Sequence, residues 1–356
     1  MNTSITSTGP VKRTKVSATA GWEDLVAATL ALLVVSSVYA DGWAHLNVPG
    51  LESFFTPWHA ALYTSFAGLA GWVGWLGWRH GRSALPRLDA FPPGYGLAAA
   101  GIAVFAAGGV GDMLWHMAFG VEAGIDALLS PTHLMLLVGG VLLITAPLRS
   151  AADRGGAPRG AGALAVAVSL AATAALAMFF LSYQSVFVEA AATVPLTTIP
   201  EGEPGHLEAE MPVMVGLGSY LITSVAILVT ILLARRLVPA LPAGAVTVSV
   251  AAVALLSASL AEFEYGEAAV GAVVGAAFAE ALTRSRALAG WVDEASLLGG
   301  ALPVGMWAGQ LIGLEFSHEV RWSVELWAGV ILLSALVGVA VAAIALPSRR
   351  RSTAAT

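Results

Sequence analysis

Apolar stretches of about twenty residues recur along almost the whole chain, each long enough to cross the hydrocarbon core of a bilayer as a helix. That recurrence leaves few folds open. Lipid offers no partner for a bare amide or carbonyl, so each stretch must satisfy its own backbone, and within a single segment only a helix does so. With 57% hydrophobic and 11% charged residues and a mean hydropathy of +0.79, the chain is also too apolar for a soluble domain. Segments are expected at 23–46, 57–78, 94–118, 131–148, 161–188, 211–234, 243–262, 267–283, 296–314 and 324–347. The fold class expected is all-α, a polytopic transmembrane bundle of about ten helices in contact with the lipid bilayer.

Charge orients this map. Of the 17 basic residues all but Arg321 fall on one side: Lys12, Arg13, Lys15 and the groups within 79–87, 149–159, 235–236, 284–286 and 349–351. The positive-inside rule makes that side cytoplasmic, with both termini on it, in a multi-pass protein of the plasma membrane. Most of the 23 acids fall on the external or periplasmic side, among them Asp41, Glu201, Glu203, Glu208, Glu210 and Glu325. A competing expectation is a cleaved signal peptide, because Lys12, Arg13 and Lys15, the apolar run from Leu25, and Val38-Tyr39-Ala40 before Asp41 suit one. The chain divides into a disordered cytoplasmic tail (1–21), a four-helix metal-binding unit (22–148), a six-helix region without an assigned role (149–347) and a basic tail (348–356).

Within 22–148 one pattern occurs twice. Asp41-x3-His45 is followed by Thr56-Pro57-Trp58-His59, and Asp112-x3-His116 by Ser130-Pro131-Thr132-His133, the second loop being three residues longer. Residues four apart share a helix face, which puts Asp41 with His45, and Asp112 with His116, at outer helix ends. Thr56 and Ser130 read as N-caps followed by proline at the first helical position, so His59 and His133 open the returning helices. Each hairpin then offers a carboxylate and two imidazoles from two rigid helix ends, leaving a fourth position open. The metal ligands expected are Asp41, His45, His59, Asp112, His116 and His133.

With no cysteine in the chain, thiolate zinc sites and iron–sulfur clusters are excluded. Two histidines and a carboxylate suit copper, zinc or iron. Met113, Met117 and Met135 flank the second copy, and a thioether would favour cuprous copper, although methionine at helical spacing also serves as core filler. The rival to a metal site is a hydrogen-bonded polar network clamping four helices together.

The pattern Asp-x3-His, a loop, then Pro-x-His resembles the copper-site motif in the C subunit of particulate methane and ammonia monooxygenases. Asp41, His45 and His59 are similar to that family's first site, and Asp112, His116 and His133 fill the places of its second, which is led by Asn or Asp. The resemblance covers about residues 20–148, with spacers of 13 and 16 residues between the paired histidines, a little long for the family. It implies two neighbouring copper sites, oxidation of small apolar molecules by oxygen, and partner membrane subunits. The six helices that follow have no counterpart in that family, and the chain carries no cupredoxin domain.

Other readings remain open from the residues alone. A membrane zinc hydrolase would need a carboxylate base, for which Glu262, Glu264 and Glu315 are candidates. A metal transporter would carry polar groups on to mid-membrane, whereas these ligands cluster at one end. A structural subunit or homo-oligomer would use the polar hairpins only for packing. His80 reads as a solvated loop residue, His206 as part of an acidic external loop, and His318 as an outer-turn neighbour of the paired sites. Glu280 and Arg284 are placed to neutralise each other. Trp43, Trp58, Trp115 and Trp322 read as an interfacial belt. No nucleotide-binding loop or nucleic-acid-binding basic patch is present.

Overall fold

A computed structural model describes residues 16–49, 54–81, 91–120, 124–285 and 293–345 of the chain. The C-terminal tail, residues 1–15 of the N-terminal one, and Lys12, Arg13 and Lys15 with it, lie outside the described residues. Every long element is a helix: α1 (Gly21–Asn47), α2 (Pro57–His80), α3 (Gly96–Phe119), α4 (Ile125–Leu129), α5 (Pro131–Ile144), α6 (Ala146–Arg154), α7 (Ala161–Phe179), α8 (His206–Leu237), α9 (Ala245–Leu260), α10 (Gly266–Thr283), α11 (Glu294–Ser317) and α12 (Val324–Ala345). Among the described residues 8 helical segments are long and apolar enough to cross a membrane, with α5 and α6 counted as one continuous run, Pro131–Arg154. The chain is thus a multi-pass membrane protein. α9 is apolar but spans only 16 residues, and α2, interrupted by Gly and Trp, is not among the eight.

Three boundaries depart from expectation, the first two for local reasons. The run expected over 131–148 breaks at Thr145, because Pro147 cannot donate a backbone bond. Carbonyls on either side of the break find side chains: Arg149 donates to Leu142 O at 2.6 Å, and Ser169 Oγ to Ile144 O at 2.7 Å. Helix α7 ends at Phe179 rather than near 188. Beyond it Ser182, Gln184 and Ser185 form tight turns in which Ser185 Oγ accepts from Phe187 N, a local bond that competes with the helix. Helix α8 starts at His206, so Glu208 and Glu210 are helical rather than part of a loop.

Contacts between helix ends show which ends lie together. His80 at the end of α2 meets Glu23 at the start of α1, Arg154 ends α6 on Asp24, and Tyr95, just before α3, donates to Asp24 at 2.8 Å. Arg235 of α8 reaches Glu294 of α11, Arg236 donates to Ala345 O of α12, and Arg284 donates to Pro242 O ahead of α9. The described basic residues therefore gather at one end of the bundle, Arg321 excepted. The opposite end holds Asp41 and the turns after α9 and α11, where Asn47 donates to Leu260 O and Arg321 N to Ala192 O.

One side chain at the basic end corrects the sequence reading. His80 is not solvated: its Nε2 lies 3.1 Å from both oxygens of Glu23 and its Nδ1 2.8 Å from Ser17 Oγ. Glu23 and Asp24 are almost wholly buried, and Glu23 also accepts from the backbone N–H of Ala20 at 2.7 Å. Two acids in a first helical turn suit the positive end of the helix dipole. The pairing expected for Glu280 and Arg284 is present at 3.2 Å, and Glu280 additionally accepts from Gly244 N and Thr247 N, capping the start of α9.

The buried apolar residues form two main groups. One joins α1, α2, α3 and α5 to α7, through residues such as Val35, Leu69, Phe105, Leu143 and Leu176; the other joins α7 through α12, through Ile227, Val250, Leu302 and Trp307. Helix α7, small-residue rich and mostly buried, belongs to both. Close helix approach depends on glycine. At Gly139 a Cβ would sit 2.5 Å from Phe105 N, so α5 lies directly on the backbone of α3.

Candidate metal centre

The caps expected for the two returning helices form. Thr56 Oγ1 accepts from His59 N at 3.1 Å and Ser130 Oγ from His133 N at 3.3 Å, each with proline in the first turn. His59 and His133 are thereby fixed in the first turns of α2 and α5, while Asp41 and His45 lie near the end of α1, and Asp112 and His116 near the end of α3.

Each carboxylate sits between two imidazoles. Asp41 Oδ2 is 3.7 Å from His45 Nε2 and 3.4 Å from His59 Nε2; Asp112 Oδ1 is 3.6 Å from His116 Nε2 and 3.5 Å from His133 Nδ1. The two hairpins do not stand apart. His45 and His116 rings stack with centroids 6.5 Å apart, and His59 and His116 centroids are 6.2 Å apart. Two compact donor groups result, Asp41/His45/His59 and His59/Asp112/His116, with the donor atoms of each within 4.8 Å of one another. His59 belongs to both. His133 completes the six as a neighbour, its ring centroid 6.3 Å from His116 and its Nδ1 2.7 Å from Ser130 Oγ.

Surrounding groups orient these donors. His59 Nδ1–H donates to Phe54 O at 2.7 Å and His116 Nδ1–H to Gly120 O at 3.3 Å, which turns each Nε2 toward the cluster. Thr132 Oγ1 donates to Asp112 Oδ1 at 3.2 Å. His116 Nε2 is buried and accepts no hydrogen bond among the described residues. A largely buried donor set in which His59 and His116 have their tautomers set by backbone carbonyls, and His116 Nε2 makes no hydrogen bond, fits a divalent metal ion.

Beside the cluster lies a cavity of about 370 Å³, lined at one side by the six polar residues and elsewhere by Leu62, Phe105, Leu136, Leu176, Phe179 and Leu260 among others. Its far wall comes from α7 and the turns after it, which the sequence pattern did not indicate. Gly42 admits that wall, because a Cβ there would meet the Phe179 ring at 2.5 Å. Tyr63 also lines the cavity and was missed; its place one turn after His59 on the same helix face was the available signal.

Several expected neighbours lie elsewhere. None of Met113, Met117 and Met135 lines the cavity, and Met117 is 72% exposed, so the thioether argument for cuprous copper has no support in the geometry. Glu262, Glu264, Glu315 and His318 do not line it either: Glu315 accepts from Val320 N, and His318 packs against Tyr265 with ring centroids 4.9 Å apart. His206 Nδ1 bonds Ile199 O. Trp43 and Trp58 face each other at the site's rim, but Trp322, expected in an interfacial belt, is buried against Tyr220. Compared with protein-family models, curated proteins and solved structures, the chain matches none.

Proposed function

We propose that the chain is an integral membrane metal protein of the copper monooxygenase C-subunit type, holding metal through Asp41, His45, His59, Asp112, His116 and His133. The observation that carries this reading is the convergence of both hairpins on one donor cluster, buried at His59, Asp112 and His116, with no hydrogen bond to His116 Nε2 among the described residues and an apolar cavity beside it. Copper is the metal favoured by the motif; the donor set alone also suits zinc and iron. When bound, such a metal supplies redox chemistry toward oxygen or, if zinc, a polarised water. The chain's own part is to orient the donors through Phe54, Gly120 and Thr132 and to wall a mostly apolar pocket that suits a small apolar molecule.

The site is proposed to face the external or periplasmic side of the plasma membrane, with both termini in the cytoplasm and α2 and α9 completing about ten spans, since basic residues gather at the opposite end. Three features count against the runner-up readings. The core between the cluster and the basic end is filled by residues such as Val35, Ala31, Leu69, Val73 and Leu76, which gives a transported ion no polar path. The acids considered as a hydrolase base do not reach the cavity. A purely structural polar clamp would be expected to close on itself, whereas buried His116 Nε2 makes no hydrogen bond among the described residues and has only the Asp112 carboxylate, 3.6 Å away, beside it. Metal analysis of purified protein, with paramagnetic resonance of the oxidised form, tests the assignment: copper bound by the wild type and lost in H116A supports it, and metal content unchanged by H45A and H116A overturns the ligand set.

A further inference from the structure

The sequence pairs each carboxylate with the two histidines of its own hairpin, which would make two complete three-ligand sites. The structure gathers them differently. The compact group around Asp112 and His116 takes its third member from the other hairpin, His59, and not His133. His59 can serve only one of the two groups at a time. Its Nδ1 is committed, donating to Phe54 O at 2.7 Å, which leaves the single lone pair of Nε2 for a metal. Charge sets the same limit. Among the described residues Asp41 and Asp112 are the only acids lining the cavity, so the two carboxylates balance one divalent ion. A second ion would leave an uncompensated positive excess in a largely buried site.

The two groups also differ in their surroundings. His59, Asp112 and His116 are all buried, whereas Asp41 and His45 are partly exposed and can be served by water when empty. A ligand bond gains most at a buried atom that has no other partner, and His116 Nε2 makes no hydrogen bond among the described residues. We propose that the centre binds one divalent ion per chain, seated on His59, Asp112 and His116, and that Asp41 and His45 form with His59 a weaker, mutually exclusive seat. The inference rests on the metal reading above and narrows its six polar residues to one ion. His133, whose Nδ1 is 3.5 Å from Asp112 Oδ1 and 2.7 Å from Ser130 Oγ, then flanks a ligand without being one.

The test loads purified full-length protein with excess copper(II), removes loose metal by dialysis, and counts copper per chain beside the paramagnetic resonance signal. Wild type should hold one copper per chain, visible in full as an isolated spin, and H133A should hold the same one. H45A should keep the wild-type spectrum. H116A should lose its copper on dialysis and, when copper(II) is added back, take up one ion more weakly. Two coppers per chain in the wild type, or one fewer in H133A than in the wild type, overturns the proposal and leaves the metal reading intact, since the sites would then be paired by hairpin. An altered spectrum in H45A with an unaltered one in H116A puts the ion on the other seat and also overturns it. The wild-type count needs no variant, so it decides the number of ions even where a substitution prevents folding. A wild-type protein that holds no metal overturns both.

Discussion

At the residue scale the account turns on His59, the one side chain common to both donor groups. H59A is therefore expected to reduce bound metal more than H45A, which leaves one group whole, or H133A, which leaves both; equal losses in all three, measured by elemental analysis, would show two independent sites. The caps beneath these histidines make a second prediction. S130A removes the acceptor for His133 N and should cost about 1 kcal/mol of stability. At the basic end, R154A leaves buried Asp24 without its ion-pair partner and should cost about 3 kcal/mol, read as a lower unfolding temperature in detergent. The gathering of the six polar residues was legible in the sequence because Asp-x3-His and a capped Pro-x-His are local patterns whose geometry follows from helix periodicity. The sharing of His59 was not, because it depends on how α2 meets α3. His80 was misread for the same reason: its partner Glu23 is distant in sequence and nothing local signals that both are buried together.

At the element scale the site exists because α3 and α5 pack backbone to backbone along their lengths. A Cβ at Gly139 would collide with the backbone of Phe105, an obstacle no rotamer change relieves, whereas nothing lies within 4 Å of one at Gly71. G139A should cost about 1–3 kcal/mol and weaken metal binding by moving His133 and Thr132 away from Asp112, while G71A should be neutral or slightly stabilising. Thermal unfolding of the two variants side by side checks this. The sequence signalled most helices through their apolar length and both α2 and α5 through their caps. It did not signal that α7 would stop at Phe179 or that the following turns would wall the cavity, since the competing bonds of Ser182 to Ser185 are weak local preferences whose outcome is set by packing against α8.

At the scale of the whole molecule, two apolar cores share α7, and a polar cluster at one end faces a charged lock at the other. The absence of native cysteine makes the orientation directly measurable. A cysteine introduced at Glu203 should react with an impermeant thiol reagent applied to intact cells, and one at Ser285 only after the membrane is opened; the reverse would place the cluster on the cytoplasmic side. The most direct test of the central claim is the metal content of the purified wild type beside H59A and H318A. The account predicts bound copper in the wild type and H318A and little in H59A. Equal metal in all three, or none in the wild type, would contradict it.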